Sequence, residues 1–111
     1  MSNLSLKSCM PTDETIKPLQ SKELTNLLSS LKNKWLINKP GYLYFEYKFK
    51  NFIEAIKFVN KVACIAEQES HHPDLLISST KCGVRILTHK INQLTENDFI
   101  LAAKIDEIYE Y

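Results

Sequence analysis

The three histidines of the chain, His71, His72 and His89, all fall in its second half. Histidine titrates near ~6.5 when unperturbed, so it gives and takes protons at neutral pH, and two such groups around one substrate are what general acid–base chemistry needs. Two carboxylates accompany them, Glu67 shortly before His71-His72 and Asp98 shortly after His89. A carboxylate beside an imidazole fixes its tautomer and orientation. The same residue types also suit solvated ends of helices and strands, and together they have ligand chemistry for zinc or iron. Adjacent residues in extended backbone point to opposite sides, however, so His71 and His72 are poorly placed to share one ion. The cysteines Cys9, Cys64 and Cys82 are odd in number and lack C-x-x-C spacing, which fits a reducing compartment better than a disulfide framework or a zinc ribbon.

The elements that must position these residues follow from periodicity. Residues 1–18 mix Ser, Thr, Lys and Pro without a period and are expected as a flexible tail or extended strap outside the core, leaving 19–111 as a single domain. Ser21 is a candidate cap for a first helix with Leu24, Leu27, Leu28 and Leu31 on one face. Trp35-Leu36-Ile37, the turn Lys39-Pro40-Gly41, and the alternation of Leu43, Phe45, Tyr47 and Phe49 with polar residues predict a hairpin. Asn51 and Glu54 mark the start of a second helix over about 52–68, its apolar stripe running through Phe52, Ala55, Ile56, Val59, Ala63 and Ala66. Pro73 ends that region by biasing His72 toward extended backbone. Leu75–Ser79 and Val84–Thr88 read as a second hairpin, and Thr95 with Asp98 opens a last helix that buries Leu101, Ala102, Ile105, Ile108 and Tyr109. Asp98 shares that inward face. The order helix, hairpin, helix, hairpin, helix predicts a two-layer α+β domain, a four-stranded antiparallel sheet with helices on one face.

Composition removes other classes. The 111 residues are 44% hydrophobic and 24% charged, enough for one small core. A formal net charge of +1 supplies no field for a polyanion, which argues against direct binding of nucleic acid. No apolar run approaches the ~18–20 residues of a membrane span, and no signal-peptide core follows Lys7, so a cytoplasmic protein without membrane contact is expected. Two glycines, Gly41 and Gly83, cannot build a phosphate-cradling loop.

The run Glu67-Gln68-Glu69-Ser70-His71-His72-Pro73-Asp74, followed by Thr88-His89 and then Asp98, resembles the signature of the pterin-4a-carbinolamine dehydratases. The resemblance is ungapped from Glu67 to Asp98. It extends upstream through Trp35, Tyr44-Phe45-Glu46-Tyr47-Lys48-Phe49 and Asn51-Phe52, covering roughly 18–108. It implies a hydro-lyase that dehydrates a 4a-hydroxytetrahydropterin (4a-hydroxytetrahydrobiopterin) to the quinonoid dihydropterin, in recycling of the pterin used by aromatic amino acid hydroxylases. Pterin would be the substrate, with no metal and no other cofactor. By the same resemblance His71 and His89 become the acid–base pair, and His72 binds or orients the pterin while contributing to protonation. Glu67, Pro73, Thr88, Asp98 and Trp35 become substrate-binding or supporting residues. Asp98 would lie near His89 or the pterin ring, and Trp35 could wall a flat heterocycle, although core packing is the commoner fate of a lone Trp.

The resemblance further implies a homo-oligomer, dimer or tetramer, and a functional link to a phenylalanine hydroxylase. Animal members also serve as dimerisation partners of a homeodomain transcription factor, so the alternative is a non-catalytic protein-binding module of the same fold. Two departures stand out. The strand after Pro73 carries Leu75, Leu76, Ser78 and Ser79 where the family usually has aromatics, and Gly83 takes a strand position that implies a bulge or a close backbone approach.

Overall fold

A computed structural model describes residues 3–13 and 15–110. A short 3-10 turn at Leu4–Leu6 precedes α1 (Ser21–Ser30), β1 (Leu36–Ile37), β2 (Leu43–Lys48), α2 (Phe52–Glu69), β3 (Asp74–Ser78), β4 (Lys81–Ile86) and α3 (Glu96–Ile108). The strands form one antiparallel sheet in the order β1-β2-β4-β3, so each hairpin is intact and the two join through β2 and β4. This is the expected α+β arrangement. Alternation sets the inward face: Leu43 and Tyr47 of β2, with Cys82, Val84 and Ile86 of β4, are buried. Leu76 of β3, between the core-packed Leu75 and Ile77, is 51% exposed.

Local signals account for the helix ends. Asn51 caps α2 by accepting from the Glu54 N–H at 2.9 Å. Thr95 and Asp98 form the expected capping box of α3. Helix α1 starts at Ser21, but its cap is Gln20, whose N–H donates to Glu23 at 2.9 Å. Between β1 and β2, Asn38 closes the turn in both directions with Tyr42, and Gly41 takes a φ of 130° that a side chain would strain.

Three expectations change. The buried stripe of α2 is Ala55, Phe58, Val62 and Ala66, whereas Phe52 and Ala63 are exposed. Both stripes have helical spacing. The choice falls to Phe58, whose ring packs 4.7 Å from Tyr47 and 5.1 Å from Phe49. Gly83 makes no bulge, because it stands in regular register between Glu46 and Leu76. What approaches it is a side chain and not another backbone: a Cβ there would lie 2.8 Å from the Tyr44 hydroxyl.

The third change concerns the N-terminal segment. Leu4 is buried in the core, the Leu4–Leu6 turn packs on α3, and Lys104 donates to the Ser5 carbonyl at 2.9 Å. Residues 4–10 are therefore a docked strap, and they explain why α3 is buried almost all round instead of along one stripe. Without a period the segment showed no core residue, but one leucine at a short turn suffices to anchor it.

Candidate active site

The histidines are positioned by the end of one helix and the end of one strand. Helix α2 stops because Ser70 adopts the left-handed conformation (φ 52°), and the His71 N–H closes back on the Ala66 carbonyl at 3.1 Å. That reversal sends His71 inward and leaves His72 on the surface, with side chains 8% and 61% exposed. The two imidazoles diverge as extended neighbours should. Pro73 then leads the chain into β3. At the other edge β4 ends at Ile86, Leu87 and Thr88 stay buried, and a tight turn closed by a Thr88–Gln93 bridge carries His89 into solvent.

His71 and His72 each have their own carboxylate. Asp98, fully buried, lies 2.6 Å from His71 Nε2 through Oδ1, while its Oδ2 accepts from Thr88 Oγ1 and from the Thr95 N–H, both at 2.8 Å. Glu67 reaches His72 Nε2 in the open. A carboxylate only accepts, so Thr88 spends its hydroxyl proton on Asp98. The 2.8 Å contact between Thr88 and Thr95 hydroxyls must then run from Thr95, whose oxygen also accepts the Asp98 N–H as helix cap. By the same rule His71 presents Nε2–H to Asp98, which leaves Nδ1 as the nitrogen with a free lone pair in the neutral ring. Asp98 thus caps α3 and orients a histidine at once.

His71, His72 and His89 line one shallow depression of about 190 Å³, together with Thr12, Ser70, Leu87, Thr88 and Lys90. Such a trio can protonate a leaving hydroxyl and accept a proton elsewhere on the same ligand. The partner of Asp98 is His71, not His89, whose neighbour is the Tyr42 ring at 6.2 Å. Trp35 does not reach the depression. It is buried against Phe45 and Tyr47, and its indole N–H donates to Asp106 at 3.0 Å. Among the described residues no three His, Cys, Asp or Glu side chains converge as metal ligands. Burial pushes the thiol of Cys9 up to about 12 and that of Cys82 up to about 11, so neither is a thiolate nucleophile near neutral pH.

With this geometry in view, comparison with known proteins is decisive. A family model described as pterin 4 alpha carbinolamine dehydratase matches residues 17–108. The chain belongs to that family. A protein of Rickettsia canadensis (strain McKiel) assigned by name to the pterin-4-alpha-carbinolamine dehydratases is 57% identical, covering 96% of this chain and 97% of that protein. One from Alkaliphilus metalliredigens (strain QYMF), assigned likewise, is 42% identical over 96% of each. Among solved structures, a transcriptional coactivator/pterin dehydratase from Brucella melitensis superposes with a TM-score of 0.79 at 28% identity, covering 85% of this chain and 100% of that one. A pterin dehydratase-like RuBisCO assembly factor of the alpha-carboxysome shares the fold at 19% identity, with a TM-score of 0.58 over 68% of this chain and 89% of that one.

Sequence reasoning missed two groups that the fold of this family member makes prominent. Asp106, buried, takes bonds from Trp35, Tyr47 and the Asn33 side chain, the last at 2.7 Å. Its signal was an acid next to Ile105 on a face otherwise apolar. Asn97, also buried, exchanges two 2.8 Å bonds with the backbone of Met10, and no local pattern announces a partner so far away in sequence.

Proposed function

We propose that this protein dehydrates 4a-hydroxytetrahydrobiopterin to the quinonoid dihydropterin by histidine general acid–base catalysis, within recycling of the tetrahydropterin used by aromatic amino acid hydroxylases. The observation that carries the proposal is the trio of histidines on one depression, two of them anchored by carboxylates, in a chain of this family. In the reaction the C4a–O bond breaks and the hydroxyl leaves as water after taking a proton. The proton on N5 is lost, and its electron pair completes the C4a=N5 double bond. Two proton transfers are the whole chemistry, so the reaction needs no cofactor.

His71, with Nε2–H turned to Asp98, offers Nδ1 as the base in the neutral ring. His89, in the open, is the complementary acid. His72, steered by Glu67, orients the pterin and supports protonation. The outer edges of β1 and β3 pair with no strand among the described residues, and Leu76, Phe52 and Ile53 are exposed, which supports a homo-oligomer. No helix among the described residues is long and apolar enough to cross a membrane. The proposal places the enzyme in the cytoplasm, in the service of a phenylalanine hydroxylase.

The test is a dehydration assay on synthetic 4a-hydroxytetrahydrobiopterin, before and after exhaustive chelation. Acceleration over the spontaneous reaction that survives chelation is expected. No acceleration overturns the proposal, and activity that returns only with added metal overturns its mechanism.

A further inference from the structure

We infer that the N-terminal strap and the end of α2 build a second, polar compartment of the histidine site, which receives a hydroxylated substituent of the pterin. The inference rests on the dehydratase function proposed above and extends it to the choice of substrate. Its first support is size. The histidine depression, about 190 Å³, is smaller than the ~300–1,000 Å³ of pockets that enclose small ligands. Beside it lies a cavity of about 330 Å³ between strap residues 8–12 and helix-end residues 68–70. Thr12 and Ser70 line both. Together the two spaces reach the size of a ligand site, with the proton-transfer groups at one end.

The wall is held in place. The Cys9 N–H donates to Glu69 at 2.8 Å, the Met10 N–H donates to Asn97 Oδ1 at 2.8 Å, and the Asn97 amide returns a 2.8 Å bond to the Met10 carbonyl. These bonds use the strap backbone with Glu69 and Asn97. They leave the side-chain donors and acceptors of Ser8, Thr12 and Gln68 for a ligand. A wall anchored this way loses little freedom on binding.

The lining also selects chemistry. An apolar substituent would strip water from these polar groups without replacing its hydrogen bonds. An anionic one would find no free cation, since no lysine or arginine is among the residues that line the cavity and the nearby Lys104 is already paired with Glu69 at 3.6 Å. A short chain bearing neighbouring hydroxyls, each both donor and acceptor, satisfies what is there. The strap precedes residue 17, where the family model begins to match, whereas Gln68, Glu69 and Ser70 on the facing wall lie within the match.

Steady-state kinetics on two 4a-hydroxytetrahydropterins, one with a 1,2-dihydroxypropyl group at C6 and one with a methyl group, test the inference. The wild-type protein is expected to favour the dihydroxypropyl substrate in kcat/KM. In Thr12→Val/Gln68→Leu that preference should fall about tenfold, mostly through KM, as the loss of two ordinary hydrogen bonds requires. Thr12→Ser, which keeps the hydroxyl, should retain it. Equal use of both substrates by the wild-type protein, or a preference unmoved by the double variant, overturns the compartment and leaves the dehydratase intact. A wild-type protein that dehydrates neither substrate overturns the proposed function, and this inference with it.

Discussion

Helix α3 carries two buried carboxylates about two turns apart, and each is saturated with donors. Asp98 takes Thr88, the Thr95 N–H and His71; Asp106 takes Trp35, Tyr47 and Asn33. Burial and hydrogen bonding do not distinguish them, since both meet the same demand that a buried charge be solvated by the protein. What differs is the far side of the partner. Behind Asp98 stands an imidazole whose other nitrogen is free to act on a ligand, whereas Asp106 is closed in by the aromatic cluster of Trp35, Phe45 and Tyr47. A satisfied buried acid is therefore a structural necessity in one place and, in the mechanism we propose, a means of aiming a base in the other. The Glu67–His72 pair supplies the third case, the same two residue types in solvent, where screening and side-chain entropy leave little net stabilisation.

Substitutions should separate these three carboxylates. The largest effect is expected at the base that Asp98 aims: His71→Ala should slow dehydration by ~10²–10⁴-fold while the protein stays folded. Full turnover by that variant would break the distinction. Asp106→Ala should act on the fold instead. It strands the Trp35 indole N–H, the Tyr47 hydroxyl and Asn33, at a cost of about 3 kcal/mol or more, and should lower Tm by ~10–20 °C. Turnover per folded molecule, read well below the new Tm, should stay near wild type; a matching loss would move Asp106 into the site.

Asp98→Asn is the sharper probe. Asparagine can keep its oxygen toward Thr88 and Thr95, preserving the cap, but its amide then donates to His71 and forces the proton onto Nδ1. The rate should drop on the order of 10²-fold while Tm stays within a few degrees, since a misplaced imidazole proton disables a base without unfolding anything. Nitrogen chemical shifts of the His71 ring would read the tautomer directly, and an unchanged Nε2–H form would refute the account. The smallest effect belongs to the exposed pair: Glu67→Gln should shift stability by no more than ~0.5 kcal/mol and slow the reaction less than Asp98→Asn. A larger loss than that of Asp98→Asn would mean that His72, not His71, is the principal base.

Several features of this molecule were legible in the order of its residues because they depend on contacts within one or two turns. The capping residues Asn51 and Thr95, the end of α2 before Pro73, the alternation along β2 and the divergence of His71 from His72 are of this kind. Backbone geometry and side-chain periodicity act locally, so sequence alone determined the α+β order and confined the candidate site residues to the α2 end, the β4 end and the start of α3. Partnership was another matter. Asp98 meets His71 across 27 positions, Asp106 meets Trp35 across 71, and Asn97 meets Met10 across 87. No short-range preference reports which of two histidines an inward acid will face, or whether a lone tryptophan lines a cleft or plugs a core. Those choices, the α2 stripe chosen by Phe58 and the docking of the strap through Leu4 were decided only when the layers closed, because close packing lets each buried side chain satisfy its neighbours in one arrangement.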